Sequence, residues 1–77
     1  MPTPLQLSTA RGALKISAQA VGKLAGLSYQ TVLRAESGKP VQRATLVVLQ
    51  STLEGLGAIF DDQGGVKITP VDRRESD

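Results

Sequence analysis

The chain has 77 residues, no Cys, no His and two aromatic residues, Tyr29 and Phe60. That length allows one domain around one small aliphatic core, with no disulfide or His/Cys metal site to staple it, and no apolar run approaches the ~20 residues of a membrane helix. The formal charge of +2 is unevenly spread: up to Leu53 six bases (Arg11, Lys15, Lys23, Arg34, Lys39, Arg43) stand against one acid, Glu36, whereas from Glu54 onward three bases stand against six acids.

Thr3-Pro4-Leu5-Gln6 reads as a helix start. Thr3 can cap, Pro4 suits the first helical position, and Gln6 completes a capping box. Leu7, Ala10 and Leu14 then share a face, which predicts a first helix over Pro4 to about Leu14. Ser17 caps a short second helix, Ala18 to Ala25, with Val21, Leu24 and Ala25 inward and Gly26 ending it. Ser28 caps a third, from Tyr29 to about Ser37, ended by Gly38. After the loop Gly38-Lys39-Pro40-Val41, a fourth helix runs from about Gln42 to Leu56. Its stripe is Leu46, Leu49, Leu53 and Leu56, and Gly57 ends it. Ala58-Ile59-Phe60 and Val66-Lys67-Ile68 flank the turn residues Asp61 to Gly65 and read as a β-hairpin. Residues 69–77 are charged, contain Pro70, and read as a flexible tail.

The stretch Ala18 to Ser37, AQAVGKLAGLSYQTVLRAES, carries the functional signal. Two short helices meet at the tight turn Gly26-Leu27-Ser28, the arrangement of a DNA-binding helix-turn-helix. Gly22 lets the second helix cross the first closely. Val21, Ala25, Leu27, Val32 and Ala35 lock the crossing, which frees the outer face of Tyr29–Ser37 to enter a major groove. A basic region joined to an acidic end agrees with a polyanion partner on one side.

On these residues the chain resembles the Cro/C1-type (XRE) helix-turn-helix family of lambda-repressor-like DNA-binding proteins, known from prokaryotes and phage. LSTARGALKIS is similar to the family's first helix, RAESGK to the end of its recognition helix, and the segment from Ala44 to Ile68 to the last helix and strands of short members. The resemblance spans roughly Leu5 to Phe60. It implies a mainly α fold of four to five helices with a short C-terminal hairpin or strand pair. Residues 1–57 would form the DNA-binding domain and 58–68 a dimerisation element. It further implies that Tyr29, Gln30 and Arg34 read bases. Gln30 would bond an adenine edge and Arg34 a guanine edge. Ser28, Thr31, Lys39 and Arg43 would meet the phosphate backbone, and Arg11 and Glu36 would form a structural ion pair. Three positions depart from the pattern: Ala18 stands where a phosphate-binding Gln is common, with Gln19 one step on; Gly22 replaces the more usual Ala; and apolar Leu33 stands beside the reading face.

The expected function is sequence-specific regulation of transcription by a homodimer on a palindromic site in duplex DNA. The expected location is the cytoplasm, at the nucleoid, in keeping with the absence of Cys and of a secretory signal pattern. Ile59, Phe60, Val66 and Ile68 of the hairpin need a covering surface, which makes a second hairpin the expected dimer partner. The same fold could instead serve an antitoxin or antiactivator that holds a protein partner, or an architectural or excision factor. No enzyme is expected: there is no His or Cys, no G-x-S-x-G and no phosphate-cradling glycine loop. Asp61, Asp62 and Glu54 read as turn and surface acids rather than metal ligands, and no cofactor, small-molecule ligand or membrane partner is expected.

Overall fold

The computed structural model describes residues 2–69; the tail expected over 69–77 lies, beyond Thr69, outside the described residues. The chain is mainly α, with α1 (Pro4–Ala13), α2 (Ala18–Ala25), α3 (Tyr29–Glu36) and α4 (Arg43–Gly55), followed by an antiparallel hairpin of β1 (Ala58–Phe60) and β2 (Val66–Ile68).

Three of the four helices start at a side-chain cap, and α4 starts after Gln42 without one. At α1 the capping box forms: Thr3 Oγ1 accepts from the Gln6 amide at 3.1 Å, and Gln6 Oε1 accepts from the Thr3 amide at 2.8 Å. Ser17 and Ser28 cap α2 and α3 by accepting from the amides of Ala20 and Thr31. Gly26, at φ 73°, takes the left-handed conformation that closes α2. The end of α1 is less economical: Lys15 sits at φ 58°, a region that costs a residue with a Cβ roughly 1–2 kcal/mol.

The core is aliphatic and continuous. Leu7 and Ala10 of α1, Ala18 and Val21 of α2, Val32 and Ala35 of α3, and Leu49 and Leu53 of α4 are buried together with Ala58 of β1. Leu46 at one end of the α4 stripe is half-buried against this cluster. Leu24 differs from expectation: it is 61% exposed. The inward row of α2 is Ala18, Val21, Gly22 and Ala25, and at 100° per residue Leu24 stands roughly a third of a turn away from its centre.

The crossing of α2 and α3 is close because Gly22 is buried without a side chain. A Cβ there would lie 2.9 Å from the Leu27 carbonyl oxygen and 3.5 Å from Val32 Cγ2. Alanine would gain about 1 kcal/mol of helix propensity, but the obstacle is backbone in the turn itself. We therefore expect Gly22→Ala to be net destabilising by about 1 kcal/mol, measured by urea unfolding. A stabilised variant would show that the turn yields.

The hairpin pairs Ala58 with Ile68, Ile59 with Lys67 and Phe60 with Val66. It is fastened to the body by Gln6. This side chain is buried, and its Nε2 donates to the carbonyls of Asp61 and Gly65, each at 3.0 Å. Asp61 orders the turn, its Oδ1 accepting from the amides of Gln63 and Gly65 at 2.8 Å. Phe60, Val66 and Ile68 lie half-buried against the helical core.

Candidate nucleic-acid interface

The α2–turn–α3 unit sets its outer face by elimination. Val32 and Ala35 turn inward. Tyr29 and Gln30, adjacent, and Arg34, four residues beyond Gln30 on an eight-residue helix, are left exposed on the other side. Leu33 lies between them and is half-buried, packed against the core. Its apolar character therefore has a packing cause. Gln30, Leu33, Arg34, Ser37 and Lys39 line one shallow depression of about 330 Å³.

Arg34 does not hang free. Its Nη2 donates to the Pro40 carbonyl at 3.0 Å. The loop after α3 thereby holds the guanidinium beside Lys39 while the remaining N–H groups stay available to a ligand. Nothing in the sequence pattern announces this contact, because a backbone carbonyl carries no residue signature. Ser28 and Thr31 are also linked, their hydroxyls 2.8 Å apart at the start of α3. Gln19 is exposed on the first turn of α2 and, with Ser17, Ala20 and Lys23, borders a smaller depression of about 190 Å³. Arg43 is exposed at the start of α4.

Arg11 and Glu36 meet as a fork-to-carboxylate pair. Arg11 Nε donates to Glu36 Oε2 at 2.7 Å, Nη2 to Oε1 at 3.0 Å, and Nη1 to the Ile16 carbonyl at 3.2 Å. The hydrogen bond to Glu36 raises the Arg11 pKa above its ordinary value, against the opposing effect of burial and with smaller help from the Glu36 charge and Tyr29. A raised folded-state pKa on a base gives stability that is complete below the unfolded value and is lost only as pH rises through the folded one. Through Arg11, the pair is thus insensitive to pH across the neutral range.

This pair also shapes the field. Glu36 is the sole acid before Glu54, and Arg11 neutralises it. Lys15, Lys23, Arg34, Lys39 and Arg43 are all exposed, and none has an ion-pair partner among the described residues. The exposed acids Glu54, Asp61 and Asp62 belong to the far end of α4 and the hairpin turn. A larger depression of about 400 Å³ lies by that turn, between Pro2, Gln6, Gln50 and Asp61. The polar atoms of Gln6 in its wall are already engaged in the capping box and the hairpin, so the recess is a seam of the fold. Among the described residues no group of three or more His, Cys, Asp or Glu side chains is placed to hold a metal ion.

The four hairpin residues expected at a dimer contact divide. Phe60, Val66 and Ile68 cover the chain's own core, and Ile59 is 50% exposed on the outer face, opposite Lys67. Among the described residues no helix is long and apolar enough to cross a membrane. No family model matches the chain, and no curated protein matches it.

Proposed function

We propose that this protein is a sequence-specific duplex-DNA-binding regulator of transcription that acts as a homodimer on a two-fold operator, with α3 in the major groove. The observation that carries the reading is the pairing of an exposed Gln30 and Arg34 on one face of α3 with adjacent cations that no carboxylate among the described residues neutralises. A negative partner is drawn by the field, and planar amide and guanidinium groups are suited to base edges. Tyr29 adds a ring for a thymine methyl or a hydroxyl for a phosphate. Lys39 and Arg43 flank the groove face as phosphate contacts, and Ser28, Thr31 and Gln19 lie on the first turns of α3 and α2, where hydroxyl, amide and backbone N–H groups meet phosphate oxygens. The resemblance to the Cro/C1-type family points the same way, and such a regulator would act in the cytoplasm, at the nucleoid.

The test is an anisotropy titration of the full chain with random-sequence duplex at several salt concentrations. Binding should fall steeply with salt, because counterion release drives the sequence-independent component. Lys39→Ala should weaken all sequences alike and reduce the salt slope by about one. An unchanged slope would remove Lys39 from the interface. If no duplex binds at low salt, the DNA reading fails and a protein partner, as for an antitoxin or antiactivator, takes its place.

A further inference from the structure

The hairpin is poorly built to pair with a second copy. On its outer face Ile59 has Lys67 as its cross-strand neighbour, and a lysine on a short edge strand opposes edge-to-edge association.

The outer side of α4 has the opposite character. Arg43, Val47, Gln50 and Glu54 succeed one another at four-, three- and four-residue steps, and Ala44, Val48, Ser51 and Gly55 run alongside at the same spacing. The buried row, Leu49 and Leu53, lies on the other side. Val47 and Val48 are 45% and 37% exposed, and no charge interrupts this face between its ends. The charges at the ends are opposite: Arg43 at the N-terminus and Glu54 at the C-terminus, on the same flank. Glu54 accepts from Gln50 Nε2 at 3.0 Å, and neither end residue has an ion-pair partner among the described residues.

We infer that the face is covered by a second copy of this chain, with the two α4 helices antiparallel about a two-fold axis near Val47 and Val48. Such an axis keeps residues of one flank on the same side of the contact and reverses their order. Each Arg43 then lies opposite Glu54 of the second copy, while the valines pack at the centre. A parallel arrangement would instead set Arg43 against Arg43 and Glu54 against Glu54. A helix of 13 residues offers a contact only about 20 Å long, so the dimer is weak in free solution and is completed on a two-fold ligand. Arg43 has donors enough to keep a phosphate contact as well. The inference deepens the homodimeric reading of the proposed function, but its test needs no DNA.

The experiment is sedimentation equilibrium of the full chain, without DNA, from tens to hundreds of micromolar, with far-UV circular dichroism to show that each variant is folded. The native chain should show reversible dimerisation. Val47→Asp should weaken it by more than about tenfold, and Arg43→Glu and Glu54→Arg should each weaken it several-fold through like-charge apposition. The exchange Arg43→Glu with Glu54→Arg should restore it to near the native value, and Ile59→Asp should leave it unchanged. A native chain that stays monomeric, an exchange that fails to restore, or a dimer lost with Ile59→Asp but kept with Val47→Asp would overturn the inference. A monomer that still binds duplex sinks this inference alone; a responsive dimer that binds no duplex sinks the DNA reading alone.

Discussion

Arg34→Ala is expected to cost about 1–3 kcal/mol in binding to the preferred site and to relax base preference at one position of each half-site. The guanidinium is exposed on α3 and is oriented by the Pro40 carbonyl. A bidentate contact to the two acceptors of a guanine edge needs such a planar group held in place. Arg34→Lys separates the roles. It keeps the charge but cannot present the fork, so a base-reading Arg34 predicts that Lys binds random duplex nearly as well as the native chain while discriminating poorly. If Arg34 merely meets a phosphate, Lys will preserve discrimination and Ala will weaken specific and random DNA equally. The thermal midpoint should move little in either variant, since Arg34 contributes one exposed hydrogen bond to the fold.

Arg11→Ala is expected to lower stability by about 2–3 kcal/mol, somewhat less than the ~3–5 of a wholly buried pair. The Glu36 side chain is only 10% exposed and would be left without its fork, and the Ile16 carbonyl would lose its donor. The discount arises because the Arg11 side chain is 24% exposed, so water repairs part of the loss. In a domain of this size the change corresponds to a fall of about 10–20 °C in Tm. Removing both charges with Arg11→Leu and Glu36→Leu together should be milder than Arg11→Ala alone, because the main penalty is the stranded carboxylate rather than the missing attraction. A double variant that loses as much as both single variants combined would make the two side chains independent and refute the pairing. The link to function is positional: Arg11 on α1 holds the last residue of α3, and so fixes the angle at which Gln30 and Arg34 are offered.

Much of this was legible because short-range chemistry controls it. The Thr3–Gln6 box, the serine caps, Gly26 and Gly38 each act within a few residues, so the four helices could be placed to within one residue at their ends. The α4 stripe was readable from its period, and β1 and β2 from the turn between them. The Leu24 expectation failed because an eight-residue helix has barely two turns. On so short a segment the centre of the inward row is set by the closest crossing, at Gly22, rather than by the largest apolar side chain. The tether from Gln6 to Asp61 and Gly65 was invisible for a different reason: it spans more than fifty residues and ends on backbone carbonyls. The sequence offered Gln6 only as half of a capping box, and its second role emerges once the hairpin folds back over α1. Ile59, Phe60, Val66 and Ile68 were recognised as needing a surface. That three of them find it on the chain's own helices depends on long-range packing, which periodicity does not encode.

The central claim is tested most directly by a mobility-shift titration of the full chain on the DNA upstream of its own gene, followed by selection from a random duplex pool. Excess random duplex is present as competitor. The account predicts that one two-fold-symmetric sequence is retained against the competitor and is bound cooperatively, with its preference at one base pair per half-site lost in Arg34→Ala. Selection that enriches no sequence, with only salt-sensitive binding throughout, would contradict it.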